Sequence, residues 1–213
     1  MNDGPPPIPG REGVPSAQFH AVYERGEPAW CVARVQSSVE DVLQRGWLAG
    51  PRLLDSGCGT GENLVAVAAA RPEASVTGVD LVPHAIERAE AATIAAGVDD
   101  RVRAAVHDLR EGVPDGPWDA ILDVGVLHVF SDDDRERYLR GVHAALADGG
   151  EFVVVVFRDD ERRPGGPRRL AEQELRAALE SVGLEVTYLE PAVYDLRSED
   201  GPAGAWMARA VRS

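Results

Sequence analysis

The sequence predicts an α/β fold in which a mostly parallel sheet carries helices on both faces. Three observations predict it. Short apolar segments with strand character alternate with longer helical ones from about residue 52 onward. The first strand, ending Leu53-Leu54-Asp55, runs into the glycine loop Gly57-Cys58-Gly59-Thr60-Gly61 and then into an apolar helix. Four acids, Asp55, Asp80, Asp108 and Asp123, close four successive strands. Ligands of such sheets bind beyond the strand C-termini, near the point where the strand order reverses.

Taken in order, residues 1–16 are rich in Pro and Gly and are expected to be a flexible tail. Residues 17–213 are expected to form one domain, with 17–48 as a helical cap. The cap reads as a helix from Ala17 to Glu24, a break at Gly26-Glu27-Pro28, and a helix from Val32 to Arg45. Phe19, His20, Tyr23 and Trp30 lie on or between these helices. They suit a flap packed on the sheet edge and equally a cover over a bound ligand. The next helix, Glu62–Arg71, stops before Pro72, and the strand Ser75–Asp80 follows. A long Ala-rich helix from Pro83 to Ala96 is closed by Gly97.

The third strand is expected over Arg101–His107 and the fourth over Trp118–Asp123, with room for a helix between them. The run Gly125–Phe130 leads to a helix capped by Ser131 and ending near Ala147. Asp132, Asp133 and Asp134 fill its first turn, where carboxylates meet the positive end of the helix dipole. They are read as a helix start and not as a metal site. The continuous run Phe152-Val153-Val154-Val155-Val156-Phe157 is a strand buried on both faces. A polar loop, a helix over Leu170–Val182, and strands over Leu184–Glu190 and Trp206–Val211 complete the chain.

The chain has 213 residues and a net charge of −14, and all its basic residues are Arg. The acidic balance argues against a nucleic-acid backbone or an anionic membrane as partner, and favours a neutral or cationic small molecule. No apolar run approaches the ~20 residues of a membrane span. No signal pattern opens the sequence, so a cytoplasmic protein is expected. Cys31 and Cys58 give neither a disulfide framework nor metal spacing, and no metal is expected. Cys58 is read as a small apolar packing residue.

The glycine spacing distinguishes between ligands. A dinucleotide loop reads G-x-G-x-x-G. Here it is G-x-G-x-G, with Asp55 immediately upstream. A pyrophosphate gains nothing from a carboxylate at the mouth of the loop, whereas a cationic ligand does. S-adenosylmethionine (SAM) carries a sulfonium and an ammonium. Asp80 follows Gly61 by 19 residues, a spacing at which an acid accepts hydrogen bonds from a ribose hydroxyl pair. Asp108, after the third strand, can reach an adenine amino group.

With those positions placed, the sequence resembles the class I SAM-dependent methyltransferases from about Gln18 to its end. It is most similar to the group around thiopurine and tellurite-resistance methyltransferases and bacterial methyltransferases of heterocyclic toxins. The resemblance rests on Leu54-Asp55-Ser56-Gly57-Cys58-Gly59-Thr60-Gly61-Glu62-Asn63, Gly78-Val79-Asp80, Asp123-Val124-Gly125-Val126-Leu127-His128-Val129-Phe130, Gly166-Pro167-Arg168-Arg169 and Ala205-Trp206-Met207-Ala208. A family segment W-D-x-G-x-P-Q is matched at Trp30 and Gln36 only. The resemblance implies a Rossmann-like, seven-stranded sheet with an antiparallel last strand. It implies SAM as methyl donor, S-adenosylhomocysteine (SAH) as product, and a small acceptor methylated on O, S or N.

Carried onto this chain, the resemblance gives Asp55, Gly57, Cys58, Gly59, Gly61 and Asn63 as the cradle for the methionine end. Asp80 with Leu81 takes the ribose, and Asp108 with Leu109 the adenine. Trp30 and Gln36 belong to the cofactor cap, and Asp123 lies near the methyl. His128 is the expected general base, because an imidazole suits proton removal at neutral pH, with His20 as the runner-up. Tyr23 and Arg168 are expected on the acceptor side. Two other functions fit parts of the pattern: an NAD(P)-dependent oxidoreductase and a non-catalytic SAM-binding module.

Overall fold

The computed structural model of the protein describes residues 11–26 and 28–213. Its elements, in chain order, are α1 (Ser16–Arg25), α2 (Ser37–Gln44), β1 (Arg52–Ser56), α3 (Glu62–Ala70), β2 (Ser75–Asp80), α4 (Pro83–Ala96), β3 (Val102–Val106), β4 (Trp118–Val124), α5 (Asp132–Ala145), β5 (Leu146–Phe157), α6 (Glu172–Glu180), β6 (Leu184–Tyr194) and β7 (Ala203–Arg212). One 3₁₀ turn, Leu127–Val129, precedes α5.

The seven strands form one sheet in the order β3-β2-β1-β4-β5-β7-β6. β1 pairs in parallel with β2 and β4, β2 with β3, and β4 with β5. β7 inserts antiparallel between β5 and β6. The chain therefore moves outward from β1 to β3, then returns to β4 on the other side of β1. That reversal opens a crevice at the C-terminal ends of β1 and β4.

The β-branched run of β5 shows why the sheet needs two helical layers. Val153 and Val155 join one core with Leu53, Leu122, Leu64 and Val67, under α2, α3 and α4. Val154 and Val156 join the other with Leu54, Ile121, Tyr138 and Leu175, under α5 and α6. All four valines are fully buried. Each such burial contributes about 1.5 kcal/mol or more relative to exposure.

The sequence-based boundaries hold where local chemistry sets them. Ser75–Asp80 and Pro83–Ala96 have the expected limits, and Gly97 ends α4 in the left-handed region (φ 66°). Ser131 caps α5 by accepting the Asp134 backbone N–H at 3.1 Å. They fail where distant residues intervene. α2 begins at Ser37 and not Val32, because Gln36 is drawn into β-sheet-like contact with the far end of the chain: its side-chain oxygen accepts from the Asp195 N–H at 2.7 Å. Helix α5 stops at Ala145, since Leu146 already pairs with Trp118. No helix lies between β3 and β4 among the described residues. β6 extends to Tyr194, beyond the expected Glu190, with Pro191 tolerated because β6 is the sheet edge.

Most of the expected tail, residues 1–10, lies outside the described residues. The part described is clipped down. The Val14 N–H donates to the Val129 carbonyl at 2.7 Å, and the Asp132 N–H to that of Arg11 at 3.0 Å.

Candidate active site

The glycine loop leaves β1 and is pinned to β2. The N–H groups of Gly57 and Cys58 both donate to the Val79 carbonyl, at 2.8 and 2.9 Å. The three glycines serve different ends. A Cβ at Gly57 would lie 2.2 Å from Val126 Cγ2, and one at Gly61 2.9 Å from Ala89 Cα, so both are required by close packing. A Cβ at Gly59 would meet nothing nearer than the Tyr23 hydroxyl at 3.6 Å. Gly59 borders a cavity, and its φ of +54° also favours glycine.

That cavity runs across the C-terminal ends of the strands, roofed by Phe19, Tyr23 and Trp30 of the cap. Over β2 and β3 its wall is polar, with Asp80, His107, Asp108 and Arg110 beside Leu81 and Leu109. Over β4, β5 and β6 it is apolar and aromatic, with Val124, Gly125, Val126, Phe157 and Tyr194, closed by Phe130 and Pro167.

Asp80 accepts the Val82 N–H on Oδ1 at 2.9 Å and the Gly59 N–H on Oδ2 at 3.0 Å. Burial raises its pKa, against these hydrogen bonds. Each oxygen keeps a lone pair for a ligand. Burial also pushes Asp108 upward, but the Arg110 hydrogen bonds and charge win, and its pKa lies below the usual range. The Arg110 Nε reaches Asp108 Oδ1 at 2.9 Å and Oδ2 at 3.2 Å.

The other two strand-end acids lie behind the wall. Asp55 is buried and one of its oxygens, Oδ2, has no partner among the described residues. Burial, Asp123 and Asp80 together raise its pKa to about 8. Asp123 is fully buried, and its pKa is raised by burial to about 7. Its Oδ1 accepts the Val126 N–H at 2.8 Å and its Oδ2 the Leu127 N–H at 3.0 Å. The expectation that Asp123 sits near the reacting methyl is therefore corrected: its carboxylate holds the turn after β4 and does not reach the cavity wall.

His128 is on the wall but cannot serve as the expected base. Its Nδ1 accepts the Phe157 backbone N–H at 2.9 Å. The neutral ring must then carry its proton on Nε2 and can only donate there. Burial lowers its pKa to about 3, so the ring stays neutral and is a weak base at neutral pH. His20 is half-buried and absent from the cavity wall. Arg168, expected on the acceptor side, is turned away. Its Nη1 pairs with Asp132 Oδ1 at 2.6 Å and Glu174 Oε1 at 3.7 Å, and only its neighbours Gly166 and Pro167 line the cavity.

Gln36 and Asn63 also lie off the wall. The Asn63 side-chain oxygen accepts the Gln36 N–H at 3.0 Å, which ties the cap to the start of α3. Cys58 packs its sulfur under Gly78, where a Cβ would come within 2.9 Å. Trp30, Tyr23, Leu81 and Leu109 do line the cavity. Phe157 and Tyr194 were missed by sequence reasoning. Phe157 closes the valine run, an available signal; Tyr194 lies beyond the expected end of its strand.

The donor set fits SAM. Two cavity carboxylates, Asp80 and Asp108, and the buried Asp55, one oxygen of which has no partner among the described residues, lie at the ends of neighbouring strands, and a cationic ligand relieves their mutual repulsion. The backbone at Gly59 lets it approach closely. No cluster of His, Cys, Asp or Glu among the described residues has the makings of a metal site.

Comparison with known proteins agrees. Residues 53–150 match a family model described as a methyltransferase domain. A probable thiol methyltransferase 2 of Arabidopsis thaliana is 26% identical over 170 residues, covering 80% of this chain and 74% of its own length. A 2-heptyl-1-hydroxyquinolin-4(1H)-one methyltransferase of Mycobacteroides abscessus is 29% identical, covering 70% of this chain and 65% of its own. The structure of a Burkholderia thailandensis 1,6-didemethyltoxoflavin-N1-methyltransferase, bound to its substrate and S-adenosylhomocysteine, superposes with a TM-score of 0.77 at 22% identity, covering 100% of this chain and 97% of its own. At that identity the last shows the fold alone. Glycine loop, strand order, the family match over residues 53–150 and the relatives converge on a SAM-dependent enzyme of the class I type that methylates small molecules.

Proposed function

We propose that the polar end of the cavity holds the adenosine of SAM and the aromatic end holds a small aromatic or heterocyclic acceptor, methylated on O, S or N. The carrying observation is the two-ended cavity itself, with Gly57 and Gly59 between an acidic wall and an aromatic one. Asp80 would take the ribose hydroxyls, Asp108 and Leu109 the adenine, and Gly59 the methionine end. Asp55, raised to about 8, would ionise as the cation binds and would act from beneath without touching it.

When bound, SAM supplies an electrophilic methyl group. The chain's own contribution is position and dryness. Phe19, Tyr23 and Trp30 exclude water from above, and a held reacting pair lowers the barrier by up to about 7–11 kcal/mol. The names of two relatives, a thiol methyltransferase and a hydroxyquinolone methyltransferase, support a compact acceptor of this kind. The net charge of −14 supports a reading without a nucleic-acid or membrane partner. No helix among the described residues is long and apolar enough to cross a membrane; from the sequence we read a cytoplasmic protein whose oligomeric state is unknown, a monomer being slightly favoured.

Calorimetry tests the cofactor: SAM and SAH should bind and NADH should not. Methyl release over a panel of thiols, phenols and N-heterocycles tests the rest. SAM binding with no methyl release from any of them would favour a non-catalytic SAM-binding module.

A further inference from the structure

One polar side chain at the aromatic end has no task in the reading above. Tyr194, the last residue of β6, lines the cavity at 8% exposure. Its ring is edge-on to Phe157 at 5.2 Å and tilted to His128 at 6.1 Å. Its hydroxyl lies over Gly125 at the end of β4, where a Cβ would come within 2.9 Å of it. That is the side of the switch-point crevice away from Asp80 and Asp108. No hydrogen bond joins this hydroxyl to any described residue. A hydroxyl on the cavity wall with no protein partner is free to donate to a bound molecule.

The groups around it also exclude a proton acceptor. From β4, Asp123 spends its oxygens on backbone N–H groups. From the following turn, His128 carries its proton on Nε2. From the cap, burial raises both Tyr23 and Cys31, so neither ionises at neutral pH. Burial holds Tyr194 itself protonated as well. Among the described residues, the aromatic end thus offers the Tyr194 O–H as a donor and no base.

We propose that Tyr194 donates a hydrogen bond to the methyl acceptor, and that the acceptors are nucleophiles that arrive already ionised: thiolates and acidic mercapto- or hydroxy-heterocycles. This rests on the methyltransferase reading. The acceptor gives its proton to solvent before it binds. Its lone pair forms the new bond to the methyl carbon as the carbon–sulfur bond breaks, and that electron pair stays on sulfur as a neutral thioether. No side chain changes protonation state. Ordinary phenols, protonated at neutral pH, are poor substrates because no group at the aromatic end removes their proton.

The test uses 4-nitrothiophenol, whose thiolate absorbs visible light, with the full chain saturated in SAH. The wild type should bind it as the thiolate. Tyr194→Phe should bind it roughly ten- to hundred-fold more weakly, the range for losing one hydrogen bond to a charge, and should shift its ionisation midpoint in the complex upward. SAH affinity should stay the same. In a series of ring-substituted thiophenols, the pH dependence of kcat/KM should follow each acceptor's own pKa. Unchanged probe affinity and midpoint in Tyr194→Phe would overturn the proposal. So would failure of the wild type to bind the probe, or one fixed kinetic pKa across the series, which would reveal an enzymic base. Failure of SAH to bind the wild type would instead overturn the SAM reading, and the acceptor proposal with it.

Discussion

The two ends of the cavity use polar groups in opposite ways. Over β2 and β3, Asp80 and Asp108 stand in the wall with lone pairs to spare after their protein contacts. Over β4 and β5, Asp123 and His128 are as polar, yet each is consumed by backbone N–H groups. The first end keeps its acceptors open to the cavity. The second uses its polar residues to hold a turn rigid, and leaves the ligand an aromatic surface with one hydroxyl. A residue's chemistry does not decide which role it takes. The direction of its side chain does.

This contrast can be broken most directly at Asp80. Asp80→Ala removes a charged acceptor from the polar end and also frees the Gly59 N–H, so SAH affinity should fall roughly 100-fold or more by calorimetry, at about 1.5–3 kcal/mol per lost hydrogen bond to a charge. SAH affinity within twofold of wild type would remove the polar end as the adenosine site. The glycines sharpen it next. Gly57→Ala should destabilise the fold by several degrees of Tm, because its Cβ overlaps Val126. Gly59→Ala costs the fold only about 1 kcal/mol of backbone strain, and should act chiefly on SAH affinity.

His128→Gln tests the other end. It should lower Tm and turnover, while the pH profile of kcat/KM keeps its shape; loss of an ionisation near neutrality would restore His128 as the base. The same residue has a stability signature. Its pKa falls from 6.5 unfolded to about 3 folded. Its contribution is therefore complete above pH 6.5 and is lost as pH drops toward 3. Asp55 works in the opposite sense, rising from 3.8 to about 8. Its contribution is present below pH 3.8 and is lost as pH climbs through 8. Asp55→Asn should accordingly raise the Tm of the ligand-free protein more at pH 9 than at pH 5, as read by scanning calorimetry. The smallest effect is expected at Arg168. Arg168→Ala should cost at most a few degrees of Tm through its lost pairing with Asp132, with acceptor KM unchanged.

Much of the cavity wall was legible in the sequence because it is written in local chemistry. The loop Gly57–Gly61 needs positive φ at every second residue, and Asp80 follows at a spacing that puts it beside that loop. Tyr23, Trp30, Leu81 and Leu109 were expected at the ligand and line the cavity. His128 and Arg168 were misassigned for one reason: each belongs to a run that borders the cavity, but its own partner lies elsewhere, the Phe157 N–H for one and Asp132 for the other. Tyr194 was invisible because its place depends on β6 continuing past Pro191, which only pairing with β7 secures.

The sequence alone determined the α/β order, the glycine loop and the acids that close each strand, since these follow from side-chain periodicity and from the few backbone conformations that glycine permits. The tertiary structure decided which acids face the ligand and which hold the frame. Successive residues of a strand point to opposite faces, and a buried polar group bonds to whatever donor the fold brings within about 3 Å. That partner is often distant in sequence, as Phe157 is for His128.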